Sequence, residues 1–377
     1  MHDVSAQDWD SLLALQTDPT PFMSHAYLSA MEDSGSAAVK SGWKLCLLTL
    51  RHSAIVDTGR QGGTLASAAA LYIKPHSYGE YVFDWAWADA YQRHGLNYYP
   101  KAIAAVPFTP VPGSRLLADS PDSQSALLSA MVELAQQEDW SSLHVLFLST
   151  QEAKATQAAG WLSRHTVQFH WHNNSYSDFE HFLSAMNQEK RKKIKQERRK
   201  VNEAGVRFVA LEGAQIQSAD WDFFYKCYSQ TYFEHGNAPY LNRDFFQRMQ
   251  DHMAGNWVLF IAEKNAQRIA CSLIGLAHNV AYGRYWGALE RVDCLHFEAC
   301  YYQPIEWCIG KGVIRFEGGA QGEHKMARAL LPVKANSAHW LAHPGFADAV
   351  ERYLEKEGHG VEAYLENLEA RSPLKSK

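Results

Sequence analysis

The sequence predicts a mixed α/β fold built twice along the chain, and three observations carry that expectation. An apolar strand pattern over 314–317 runs straight into Gly318, Gly319 and Gly322, with Glu317, Gln321, Glu323, His324 and Lys325 interleaved. Upstream, a strand pattern over 279–287 is followed by apolar and aromatic residues at helical spacing over 296–310, which completes a βαβ unit. The same order of elements, a helix, an antiparallel meander and a closing βαβ crossover, is found in the first half of the chain.

The elements follow in order. In the first half a helical segment at 24–34 leads to strands at 44–51 and 65–74, an aromatic-rich segment, a strand at 101–106, a helix at 124–137 and a strand at 142–149. Within the aromatic segment Tyr81, Phe83, Trp85 and Trp87 alternate as in a strand, which points either to core and inter-domain packing or to one wall of a substrate cleft between the domains. In the second half helices at 219–234 and 243–254 lead to strands at 257–263 and 268–277, then to the βαβ unit already described. The boundary falls within 165–174, giving domains 1–168 and 169–377, the second ending in a helical segment at 345–371.

Composition narrows the class. The chain has 377 residues, 46% apolar and 20% charged, enough for two domains with substantial cores. No apolar run approaches the roughly twenty residues that span a bilayer, and Met1-His2-Asp3-Val4 begins neither a basic region nor an apolar signal core, so the expected compartment is the cytoplasm. Six cysteines without a CxxC pair read as reduced core residues. A net charge of −5 confines any nucleic-acid contact to a local patch. Such a patch exists at 190–200, eight basic residues in eleven, on a predicted helix at 187–204. Leu183, Met186, Ile194 and Val201 fall on one stripe of it, so its basic faces stay exposed, either as a solvated face or as a phosphate-binding surface carried by Arg191, Lys192 and Lys195.

Other chemistries lack their residues. There is no HExxH among eighteen histidines, no nucleophile elbow, no P-loop and no dinucleotide fingerprint, so no metal is expected. Glycines that let backbone approach a ligand, beside carboxylates, an imidazole and an amine, make the 314–325 segment the expected active site. Trp286 and Glu317, at the carboxyl ends of neighbouring parallel strands, are expected to emerge close together.

The segments Phe297-Glu298-Ala299-Cys300-Tyr301-Tyr302, Phe316-Glu317-Gly318-Gly319-Ala320-Gln321-Gly322-Glu323-His324-Lys325 and Ser337-Ala338-His339-Trp340 resemble the FemAB-like family, related to the Fem-type peptidoglycan aminoacyltransferases within the GNAT superfamily. Gly79-Glu80-Tyr81-Val82-Phe83-Asp84-Trp85-Ala86-Trp87-Ala88 and Tyr98-Tyr99-Pro100-Lys101 extend the likeness through the first half. The resemblance implies two tandem GNAT-like domains and transfer of an acyl or aminoacyl group onto an amine. Direct transfer needs positioning, a base and oxyanion stabilisation. Glu317 or Glu323 is the expected base, with His324 as the alternative, while Gln321 and Lys325 are placed to hold the oxyanion or an acceptor carboxylate. Tyr285 and Trp286 are expected to line the channel, with Trp85 and Arg115 as binding residues in the first domain.

The donor is open between an acyl-CoA and an aminoacyl-tRNA. The sequence lacks the Gln/Arg-x-x-Gly-x-Gly/Ala loop with which GNAT enzymes hold coenzyme A pyrophosphate, and Glu290 and Asp293 stand at the corresponding turn. Two further readings remain: a non-catalytic module that recognises a cell-wall precursor or peptide, and a tRNA-dependent transferase that meets tRNA through the basic helix.

Overall fold

The computed structural model describes residues 1–52, 63–320 and 322–375. These form two compact units, the first comprising 1–166 and 334–363 and the second 167–333 and 364–377. The division thus falls beside the sequence-drawn cut at 168, and a later segment, 334–363, returns to the first unit.

In the first unit, helices α1 (Ala6–Ala14) and α2 (His25–Asp33) begin at Ser5 and Ser24, whose hydroxyls accept from backbone N–H groups of the first turn. Strands β1 (Lys44–Arg51) and β2 (Leu65–Lys74) pair antiparallel, and β2 is almost wholly buried, as its alanine-rich sequence allows. Helix α3 (Trp85–Arg93), strand β3 (Lys101–Ala104) and the short β4 (Leu117–Ala118) precede helix α4 (Pro121–Gln137), which starts with a Ser120 cap and Pro121 in its first turn. Strand β5 (Ser142–Leu148) pairs parallel to β3, and a Ser149/Glu152 capping box opens α5 (Thr150–Ala158). With β12 (Leu331–Leu341) antiparallel to β5, the order here is β1-β2-β3-β5-β12.

The aromatic alternation at 81–87 does not make a strand. Tyr81 has a left-handed φ of 62°, and α3 starts at Trp85, so Trp87 and Tyr91 lie one turn apart and both are buried beside Tyr98. Trp85 faces outward, 41% exposed, edge-on to Tyr78. Four residues are too few for period 2 to be told from period 3.6.

In the second unit, β6 (Leu162–His172) contributes its later residues, followed by α6 (Phe179–Ala185) and α7 (Gln188–Glu203). Leu183, Met186, Ile194 and Val201 are all buried, but on two helices, because the chain extends at Met186 and Asn187 caps α7. Strand β7 (Val206–Glu212), helices α8 (Ser218–Glu234) and α9 (Arg243–His252), and the meander β8 (Trp257–Lys264), β9 (Gln267–Ala277) and β10 (Val280–Ala288) follow. A short α10 (Leu295–Phe297) passes through a π-helical turn at Glu298–Tyr302 into α11 (Gln303–Lys311), which a left-handed Gly312 ends. Strand β11 (Arg315–Ala320) then pairs parallel to β10 and antiparallel to β6, giving the order β6-β11-β10-β9-β8-β7. Phe316 sits at the centre of the core under α11, with Ile305, Tyr302 and Trp171. Helix α12 (Pro344–Ala370) closes the chain.

The class is therefore mixed α/β in two compact units, as the sequence predicts.

Candidate active site

The distinctive feature of the second unit is where β10 and β11 part. They pair at three positions only, ending at Tyr282 with Glu317. Both strands carry an irregularity just beyond: the β10 register skips Arg284, pairing Gly283 with Ile274 and Tyr285 with Leu273, and the β11 register with β6 shifts between Glu317 and Ala320. Bulges re-aim side chains and end pairing. Glycine makes this pair of bulges possible: Gly319 has a φ of +77°, and a Cβ on Gly283 would come within 3.2 Å of the Glu317 carbonyl oxygen.

Lys325 lies at this parting. Its side chain is 4% exposed, and Nζ donates to the Gly319 carbonyl oxygen at 3.1 Å. Burial pulls its pKa down to about 8, so at neutral pH it is mostly protonated yet able to release its proton. His324, next in the chain, points its ring at the Tyr301 hydroxyl, 3.1 Å away, and burial together with Lys325 and Arg328 keeps its pKa below the usual value. Tyr301 also meets His296 edge-on, and His296 meets Trp286 the same way at 5.3 Å. Burial holds His296 at about 4, hence neutral. Trp286 and His324 are therefore joined through His296 and Tyr301.

Glu317 is elsewhere. It is one residue on from Phe316, so it takes the opposite face of the sheet, 2% exposed, with Arg315 Nε at 3.0 Å. His170 stands 3.8 Å from its other oxygen, but burial and Arg315 hold that imidazole at about 3, so this is a polar contact with a neutral ring and not an ion pair. Glu323 is exposed and meets Tyr364 and Arg371 at the surface. Gln321 lies outside the described residues. The bulge at Arg284 shifts the later residues of β10 across the sheet, which is why Trp286 and Glu317 do not share a face.

Tyr285 and Trp286 do line one cavity, of about 300 Å³, with Tyr228, Tyr232 and Arg284. Thr231 closes it by donating to the Trp286 carbonyl oxygen at 2.9 Å, and α8 packs so tightly here that a Cβ on Gly287 would collide with the Cys227 carbonyl.

Helix α7 is gripped on one side. Its Glu197 is buried and receives both a close Tyr302 hydroxyl and the Arg328 guanidinium, 2.9 Å away, while Arg328 also holds the His324 carbonyl at 2.8 Å. Arg198 pairs with Glu298 and Glu306. On the other side Lys192 is exposed, Arg191 is half-buried, and Lys195 reaches Glu180 at 2.6 Å. Lys195, Arg198, Arg199 and Arg207 line a cavity of about 610 Å³ together with Glu180 and Glu298.

Two expectations meet different surroundings. Arg115 is fully buried in the first unit with its guanidinium on the Val111 and Ser114 carbonyls, so its charge serves a loop. Glu290, at the turn after β10, is paired with Lys264 at 2.5 Å. Among the described residues no three metal-ligating side chains converge, and no helix is long and apolar enough to cross a membrane.

The FemAB-like family model, described as peptidoglycan biosynthesis or recognition, matches residues 1–376. The chain belongs to the FemAB-like family. Solved structures agree on the fold of this FemAB-like protein: FemX matches at 10% identity and a TM-score of 0.56 over 92% of this chain and 98% of that one. L-PGS from Bacillus licheniformis matches at 8% identity and a TM-score of 0.54, over 93% and 97%. A tandem GNAT protein from the clavulanic acid biosynthesis pathway matches at 12% identity with a TM-score of 0.42, over 91% and 96%, and the fold assignment rests on the first two. No curated protein sequence matches at a significant level. These comparisons lend no support to a tRNA partner.

Sequence reasoning missed His296, Tyr301 and Arg284. Tyr301 stood inside the 297–302 segment that carries the family likeness, and Gly283 beside Arg284 was a bulge signal within a strand pattern.

Proposed function

We propose that this FemAB-like protein transfers an acyl or aminoacyl group directly onto an amine of a peptide-like cell-wall precursor, at the parting of β10 and β11 in the second unit. The observation that carries this reading is the buried Lys325 ammonium, held on the Gly319 carbonyl where two adjacent bulges separate the strands. An amine attacks the carbonyl carbon of the donor ester or thioester; the C–N bond forms, negative charge gathers on the carbonyl oxygen, and the C–O or C–S bond breaks. Lys325 stabilises that oxygen, a role worth about 10²–10³ in rate for one well-placed donor. His324, neutral at pH 7, takes the proton the amine loses, and Tyr301 orients its ring. Glu317 and Arg315 neutralise one another and fix β11. Trp286 packs the wall through His296.

Phosphates of the donor fit the cavity beside α7, where Lys195, Arg198, Arg199 and Arg207 outnumber Glu180 and Glu298, and Arg191 and Lys192 extend the positive surface. The test is a mass-spectrometric transfer assay with acyl-CoA and aminoacyl-tRNA panels and a lysine-containing peptide acceptor. A product heavier by the acyl group, lost in His324→Ala, is expected. Binding of the precursor with no transfer from any donor would overturn catalysis in favour of recognition.

A further inference from the structure

The walls of the aromatic cavity in the second unit are Tyr228, Tyr232, Tyr285 and Trp286. Polar side chains between them are taken up by the protein itself. Thr231 donates to the Trp286 carbonyl oxygen at 2.9 Å, His235 Nδ1 to the Thr231 carbonyl at 2.7 Å and Asn237 Nδ2 to the His235 carbonyl at 3.0 Å. The Arg284 guanidinium lies 4.9 Å from the Tyr285 ring centroid, and its Nη2 donates to the Tyr285 hydroxyl at 3.0 Å, so this cation is already engaged. The Tyr228 hydroxyl accepts the Leu241 N–H. No carboxylate lines the space among the described residues. What the cavity offers a ligand is therefore ring faces and ring edges.

We propose that this cavity is a specificity pocket for an uncharged aromatic side chain carried by the substrate. The proposal rests on the transfer reading above and adds which side chain the site selects. Charge, size and ring geometry argue for it. A cationic side chain would meet the Arg284 guanidinium with no carboxylate to balance it, and an anionic one would lose its water among aromatic walls beside a guanidinium that already has partners. A space of about 300 Å³ holds roughly ten waters at about 30 Å³ each, which matches a benzyl or indolyl group of about ten heavy atoms. Tyr228 meets Tyr285 edge to face at 5.2 Å and Tyr232 at a tilt at 4.8 Å, an array of alternating faces and edges that one more ring continues. Tyr285 stands three residues beyond Tyr282, the last paired residue of β10, or roughly 10 Å along the strand, within reach of a side chain next to the reacting group.

The experiment is a calorimetric titration of the full chain with two pairs of probes: phenylalaninamide and alaninamide, which resemble the acceptor amine, and the methyl esters of N-acetylphenylalanine and N-acetylalanine, which resemble the transferred group. Lysinamide is the cationic control. In at least one pair the phenylalanine member should bind about tenfold or more tightly than its alanine counterpart, and the pair with the larger ratio names the substrate that carries the ring. Tyr232→Ala, which removes one wall, and His235→Trp, which fills the exposed mouth, should each reduce that ratio while leaving the alanine probes unchanged. Melting curves confirm that each variant is folded, and if Tyr232→Ala does not fold the mouth variant decides. No ring preference in either pair, tighter binding of lysinamide than of phenylalaninamide, or an unaltered preference in a folded variant would each overturn the proposal. Since the readout is binding, ring preference in a protein that transfers from no donor would sink the transferase reading and leave the pocket standing, whereas transfer without ring preference would overturn the pocket alone.

Discussion

Both units contain a short parallel strand pair, three residues long, and they treat the space beyond it in opposite ways. In the first unit, β3 pairs with β5 only through Ala104 and Val145. The loop that follows, residues 105–116, is buried almost throughout, and Gly113 N–H bonds the Phe147 carbonyl beyond the paired stretch. Arg115 ties that loop to its own carbonyls, and the Glu152 carboxylate takes the N–H groups of Arg115 and Leu116. The chain therefore fills its own gap. In the second unit the equivalent gap, past Tyr282 and Glu317, is bordered by glycines, Lys325 and an aromatic cavity. Tandem copies of one architecture can thus divide labour, one closing its sheet with protein and the other leaving room for a ligand.

Their ionisable groups divide likewise. In the first unit Lys101, fully buried, holds Glu80 at 2.7 Å and sits close to Asp84, to which the Tyr98 hydroxyl also donates at 2.6 Å. Burial pushes Glu80 up to about 7, while Lys101 and His144 overcome burial to hold Asp84 at about 2. His144 meets His339 ring to ring at 2.7 Å between nitrogens, and burial keeps both neutral. These groups form one buried network, in which a single cation, Lys101, answers both carboxylates. Lys325 in the second unit donates to the Gly319 carbonyl oxygen, and burial pulls its pKa down to about 8.

The largest effect that could break this contrast is in the first unit. Lys101→Met leaves two buried carboxylates without their cation and should cost about 3–5 kcal/mol in urea unfolding. A loss under about 1 kcal/mol would mean that the network is open to another partner. Next is the pH profile of transfer. Lys325 must be protonated to serve the oxyanion, so turnover should fall about tenfold per pH unit above roughly 8; His324 must be neutral, which puts the rising limb below 6.5. Lys325→Arg should abolish the alkaline limb, and an unchanged limb would assign it to another group. Glu323→Gln should change turnover by no more than about twofold and stability by under about 1 kcal/mol, since its partners are solvent-exposed. Smallest of all, Arg191, Lys192 and Lys195 replaced together by glutamine should leave the melting temperature within a degree or so, because the buried grip on α7 runs through Glu197 and Arg198. The same variant should flatten the salt dependence of binding to a phosphorylated donor. Ready unfolding would make those side chains structural.

Much of the fold was legible because long, strongly periodic segments state their type: β8, β9, β10 and α8 lie within a few residues of where the apolar spacing puts them. The glycine-rich segment after β11 was legible as a place where backbone is left bare. What the sequence could not state was register. Whether Trp286 and Glu317 share a face depends on one skipped residue in β10, and a bulge is a property of two strands, not of one. Charge pairing is equally silent in sequence. Arg115 read as a binding residue and Glu290 as an obstacle to anions, yet carbonyls from its own loop take up the first and Lys264 meets the second.

We propose the strand parting of the second unit, and not the buried network of the first, as the place of transfer. The most direct measurement is turnover of Lys325→Met and Lys101→Met beside the parent, each assayed below its own unfolding midpoint. Lys325→Met should lose about 10²–10³ in kcat at an unchanged midpoint, whereas Lys101→Met should keep kcat within about twofold at a lowered one. Full turnover in Lys325→Met, or its loss in folded Lys101→Met, would contradict it.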